Sequence, residues 1–175
     1  MALIIENGSI VAGANSYVTA AEARAFATAR GITLDASDAV VEAQLVRAMD
    51  YLEAQRASYQ GYKTDPETQE LQWPRTGVVI DCKYSVPENS IPKELKHAQM
   101  LLVLEDFAGI VFMPSSDGRV VKREKLDVIE REFAVPNDMK MTGLPTASMP
   151  AVDAALAPLF APCGGGPFSL RTVRV

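Results

Sequence analysis

Between residues 60 and 90 the chain carries Gly61, Pro66, Pro74, Gly77 and Pro87, a density of breakers that reads as irregular backbone. Such a long connection is uncommon inside a compact domain, and is usually functional or packed on itself. It also holds the only tryptophan, in the stretch LQWPRTGV at 71–78. A loop tryptophan beside a proline can stack a base, line a sugar pocket or fill a gap between helices. Gln72 and Arg75 are too few to define a pocket. The expected role of Trp73 is therefore structural: a buried plug that pins the loop to the helices, gives its indole N–H one partner and presents Arg75 outward.

Helices are expected on both sides of this stretch. Thr19 and Glu22 have the spacing of a capping box, Val18 can staple against Ala23, and Gly31 closes the segment. Phe26 is its expected anchor. A second helix is expected from about Ser37 to about Tyr59, with Val41, Leu45, Ala48, Met49 and Leu52 on one buried face. A third opens with Ser90 as cap and Pro92 in the first turn, and ends at Gly109. Met100 to Leu104 is apolar all round, which makes this the central helix. A last short helix, limited by Pro158, offers Val152, Ala155, Leu156 and Leu159.

Two segments break the helical pattern. Near the N-terminus, ALII and Ile10-Val11 flank an Asn7-Gly8 turn signal, which suggests an extended arm or small hairpin. Residues 128–133 alternate with a period of two, and with RVVKREK before them they read as a β-hairpin at about 117–134, turning near Leu126-Asp127. Its basic residues Lys122, Arg123 and Lys125 form the best local cationic patch. A solvated edge is its default role, and a subunit or partner contact, shared with Arg75, the sharper one. The chain ends in CGGGPFSLRTVRV, a glycine hinge and an apolar, basic tail without an acid. The expected fold is mainly α: a small helical bundle over residues 1–162 with an N-terminal arm and an inserted hairpin, and a flexible C-terminal docking tail over 163–175.

Reactive chemistry is thin. His97 is the single histidine, and a structural role outweighs a ligand or base role because a metal site would need further His or Cys partners. Cys82 and Cys163 have neither metal spacing nor an activating neighbour and read as plain thiols. Glu105 and Asp106 diverge by about 100° on a helix, so they read as a solvated face. CGGGP opens no helix and carries no phosphate-loop lysine. No cofactor, metal or catalytic residue is expected. Neither a signal peptide nor a membrane span is expected, which places the chain in a cytoplasm. The net charge of −5 runs against a protein that grips phosphates over a broad surface.

Six blocks then stand in series: NSYVTAAEARAFATARG, LVRAMDYLE, LQWPRTGV, IPKELKHAQ, VKREKLDVIEREF and MPAVDAALAPLF. In this order they resemble a tailed-bacteriophage family, often labelled DnaT-like single-stranded DNA-binding proteins, whose members look like head–tail connector adaptors. The resemblance runs from about Asn15 to Phe160. It implies a virion protein, assembled in the host cytoplasm, that forms a ring, commonly of twelve copies, beneath the portal protein. A head-closure (stopper) or tail protein would sit on its other face, and packaged double-stranded DNA would pass through the lumen with only non-specific contact. Portal docking maps loosely onto the tail, to Phe168, Leu170, Arg171, Val173, Arg174 and Val175. The acidic total suits a channel along which DNA slides, because fixed carboxylates repel phosphates. The alternative is a true single-stranded DNA-binding protein, which would need aromatics interleaved with a basic groove.

Overall fold

A computed structural model describes residues 2–35, 37–112 and 149–160 in full, and residues 123–126 and 129–132 as backbone. The fold is mainly α, with short antiparallel ladders. Two compact units divide the chain, Met1–Ile110 with Met149–Val175, and Val111–Ser148.

Helix α1 (Ala20–Thr28) starts as its capping box requires. The Glu22 N–H donates to the Thr19 hydroxyl at 3.2 Å, and the Thr19 N–H donates to the Glu22 carboxylate at 2.8 Å. Gly31, at φ +74°, lets the chain turn back so that the Ile32 N–H reaches the Ala27 carbonyl at 3.0 Å. The buried positions are Ala23 and Ala27, whereas Phe26 is only half-buried. A single turn of alanines allows close approach to the neighbouring helices and leaves the larger ring at the margin.

Helix α2 (Asp38–Ala54) buries the predicted stripe, with Val41, Leu45, Ala48 and Leu52 fully covered. It stops short of Tyr59 and passes through a 3-10 turn, Gln55–Ala57. The Tyr59 hydroxyl donates back to the Leu52 carbonyl at 3.1 Å, a second donor on an acceptor that the Gln55 N–H also reaches at the helix end. Helix α3 (Lys93–Phe107) packs against α1, α2 and the last helix, and is the central one. Pro92, not Ser90, is its N-cap residue; the Ser90 hydroxyl is taken by the Pro87 carbonyl at 2.9 Å. Helix α4 (Pro150–Phe160) accommodates Pro158 near its end and buries Val152, Leu156 and Leu159.

The 60–90 connection is not structureless. It folds into two minimal ladders, β1 (Tyr62–Lys63) with β2 (Arg75–Thr76), and β3 (Val79–Ile80) with β4 (Tyr84–Ser85). Pairs of two residues are too short to leave an alternating pattern in the sequence. Gly61 makes the first ladder possible: it sits at φ +64°, and a Cβ there would lie 2.0 Å from the Thr76 carbonyl oxygen.

The N-terminal arm doubles back onto the body. Ile5 and Ser16 form an isolated bridge, and the buried Glu6 carboxylate collects the N–H groups of Gly8, Ile10 and Val11 at 2.7, 3.1 and 2.7 Å. Ser16, Tyr17 and Val18 are buried. Gln99, fully buried in α3, fastens them: its side chain accepts from the Tyr17 N–H at 3.1 Å and donates to the Ser16 hydroxyl at 2.9 Å and the Leu45 carbonyl at 3.2 Å.

In the second unit, β5 (Arg123–Leu126) pairs antiparallel with β6 (Ile129–Glu132), so two residues, 127 and 128, separate the strands.

Candidate functional site

Trp73 is fully buried and resolves the choice left open by the sequence in favour of a latch. Its ring meets Tyr59 edge-on at 5.7 Å between centroids, and Tyr59 in turn meets Phe160 of α4 at 5.2 Å. The Trp73 peptide N–H donates to the Tyr17 hydroxyl at 3.1 Å, and that hydroxyl donates to Glu53 Oε1 at 3.3 Å. Glu53 Oε1 also accepts the Gln72 N–H at 2.9 Å. The arm, α2, the loop and α4 therefore converge on one aromatic knot. The expected indole partner is not there: Trp73 Nε1 is buried without a hydrogen-bond partner. The Trp73–Pro74 peptide bond is cis.

Arg75 does not point outward as the sequence suggested. It is 6% exposed and donates to the Gln60 carbonyl at 2.8 Å, the Gly61 carbonyl at 2.6 Å and Gln72 Oε1 at 3.2 Å. The Gln60 and Gly61 carbonyls lie just before β1, and the five-donor guanidinium is the side chain best able to gather several such acceptors. Burial pushes its pKa down from the usual guanidinium value. Arg75 is thus a structural residue of the latch, and not an outward contact.

Glu53 is the titratable group at the centre of this knot. Burial raises its pKa, against the opposing pull of the Gln72 N–H and of Lys63. A carboxyl whose pKa is higher in the folded state binds its proton more tightly there than in the unfolded chain. Stability then falls as pH rises from the ordinary carboxylate range through the raised folded value, and the penalty is complete above it. Glu53→Gln keeps the oxygen that Tyr17 and Gln72 need and removes the charge. The variant is expected to be the more stable protein at pH 7, with the difference shrinking toward zero near pH 4. Denaturant midpoints measured at several pH values check this; a variant less stable than the parent at pH 7 contradicts it.

The hairpin patch has a definite register. Arg123 stands opposite Glu132, Glu124 opposite Arg131 and Lys125 opposite Glu130. Each basic residue of β5 is thus paired in backbone register with an acidic residue of β6. Lys122 and the tail residues Phe168, Leu170, Arg171, Val173, Arg174 and Val175 lie outside the described residues, as does Cys163. Cys82 is a free, exposed thiol on the β3–β4 turn.

A second constellation escaped the sequence reading. Phe26 lies in the last turn of α1 and Arg30 just beyond the helix end, four positions on, and Lys93 and His97 are one turn apart at the start of α3. The fold brings the pairs together. Arg30 places its guanidinium carbon 3.3 Å above the Phe26 ring and donates to the Phe26 carbonyl at 3.0 Å. Arg30 Nη2 lies 3.4 Å from His97 Nε2, and His97 meets Phe26 edge-on at 5.1 Å. With Lys93 and Glu94 these residues line a shallow cleft of about 340 Å³. Arg30, Lys93 and His97 are exposed, while the one acid lining the cleft, Glu94, is 19% exposed and 3.9 Å from Lys93. The i, i+4 spacing within each pair is visible in the sequence; that the pairs face one another is not, because it depends on how α1 packs on α3. A larger groove of about 490 Å³ adjoins it across Lys93 and Glu94, walled by Ile80, Tyr84, Val86 and Ile91.

Among the described residues, no group of three or more His, Cys, Asp or Glu stands ready to hold a metal ion, and no helix is long and apolar enough to cross a membrane. A family model described as "Putative DnaT-like ssDNA binding protein" matches residues 1–175. No curated protein and no solved structure matches the chain.

Proposed function

Because the chain belongs to this DnaT-like family, a DNA-linked role is the starting point, and we propose that the role is structural: a head–tail connector adaptor of a phage virion. In this reading copies of the chain form a ring under the portal protein, hold a head-closure or tail protein on the other face and let double-stranded DNA pass. The protein is made in the host cytoplasm, ends in the virion neck and carries out no chemistry. One observation carries the reading. Trp73 and Arg75, the pair best suited to stacking and gripping a strand, are both spent inside the latch. What remains is a chain of net charge −5, with helices braced by a loop and, in the sequence, a basic, acid-free tail. The serial likeness of six sequence blocks to connector adaptors supports the same role.

Mixing the purified protein with its portal and viewing the particles by electron microscopy tests this. Annular complexes are expected. Deleting Gly164 to Val175 is expected to leave the thermal transition of the body unchanged and to abolish portal docking. Normal docking by the truncated chain removes the tail from the account, and the absence of any annular particle removes the adaptor role.

The family description itself favours a second reading, single-stranded DNA binding, and it supports that reading more directly than it supports a connector. With Trp73 and Arg75 walled in, such binding requires another surface. Titration of labelled single-stranded DNA at physiological salt separates the two: tight, salt-sensitive binding by the isolated chain favours this second reading.

A further inference from the structure

We propose that the cleft between the end of α1 and the start of α3 is a contact site for single-stranded nucleic acid, with Arg30 as its base platform and Lys93 as its phosphate contact. The inference rests on the second reading above and names the surface that reading lacks.

Three features of the cleft carry it. The first is the stack of Arg30 on Phe26, at 3.3 Å from guanidinium carbon to ring centroid. At that distance the planar guanidinium covers one ring face, and its own outer face is turned to solvent, since Arg30 is exposed. Unpaired bases stack on guanidinium planes as they do on aromatic rings. The Phe26 carbonyl and His97 Nε2 hold the plane from two sides, at 3.0 and 3.4 Å, so little freedom is left to lose on binding. The second feature is charge. Arg30 and Lys93 reach the cleft exposed, and its only acid, Glu94, is largely covered. In a chain of net charge −5 this is a local reversal of sign, and local cations are what a phosphate meets first. The third is size. A cleft of about 340 Å³ is open at the surface and suits one nucleotide unit rather than a duplex groove. A flexible single strand can lay a base on Arg30 and its phosphate on Lys93; paired bases, stacked in a duplex, expose no face to Arg30.

Fluorescence anisotropy of a labelled 20-nucleotide strand, measured from 50 to 200 mM salt, tests the proposal. The full chain is expected to bind, with a logarithmic salt slope of about −0.7 for the one phosphate that Lys93 neutralises. Arg30→Glu combined with Lys93→Glu is expected to weaken binding at least tenfold. Arg56→Glu combined with Lys83→Glu changes the net charge equally at exposed positions outside the cleft, and is expected to bind as the parent does. Arg30→Lys, which keeps the charge and loses the plane, is expected to weaken binding while leaving the salt slope unchanged. All four altered positions are side chains outside the core, so circular dichroism melts confirm that each variant folds.

If the parent binds and the cleft double variant binds equally well, the site is wrong while the single-strand reading stands. If the parent fails to bind at 50 mM salt, both fall together. Binding of the matching duplex as tightly as the single strand overturns the base-platform role of Arg30.

Discussion

Trp73→Ala is expected to cost about 3 to 5 kcal/mol of stability, the range for truncating a fully buried aromatic. The ring fills the knot from the 60–90 loop, and its loss leaves Tyr59 without its edge-on neighbour. The peptide N–H of residue 73 can still reach Tyr17, so the defect is one of volume, not of backbone pairing. Trp73→Phe supplies the contrast. It keeps much of the apolar fill and removes Nε1, a buried donor with no partner, so it is expected to recover more than half of the loss. Denaturant unfolding of the three proteins checks both. A Trp73→Ala midpoint equal to the parent's shows that the latch does not brace the fold.

Gln99→Leu is expected to cost about 1–3 kcal/mol although the new side chain is apolar and similar in size. Gln99 is fully buried, and its amide satisfies three groups at once: the Tyr17 N–H, the Ser16 hydroxyl and the Leu45 carbonyl. Leucine strands the buried Tyr17 donor, at a cost of about 1–3 kcal/mol, whereas the Leu45 carbonyl, inside α2, keeps its helical N–H. Ser16 is hurt less, since its hydroxyl still donates to the Val18 carbonyl at 2.7 Å. Amide hydrogen exchange gives the sharper readout: Tyr17 should lose protection before α2 and α3 do. Equal protection of Tyr17 in both proteins refutes the bracing role.

The helices were legible because their signals are local. Thr19 and Glu22, the stripe from Val41 to Leu52, and Gly31 and Gly109 each act within a few residues of their own position. The latch was half legible. A lone tryptophan in a breaker-rich loop pointed to a plug, but Arg75 was misread because a charged side chain in a loop defaults to solvent. Only the assembled loop reveals that Gln60 and Gly61 leave carbonyls for it to collect. The two ladders within 60–90 left no trace, since strands of two residues have no period to detect. The α1–α3 cleft is the extreme case: Phe26 with Arg30 and Lys93 with His97 are ordinary i, i+4 pairs in the sequence until tertiary packing joins them.

The doubled-back N-terminus has a consequence for how the polypeptide matures. The Tyr17 N–H waits for Gln99, 82 positions later, and the Tyr17 hydroxyl waits for the Trp73 N–H, 56 positions later. A nascent chain leaving the ribosome therefore cannot fasten its first segment until most of the body has emerged, despite its helical character. Such distant pairings slow acquisition of the native state relative to bundles joined by neighbouring contacts, and during that interval Tyr17 and Val18 remain accessible to chaperones and proteases.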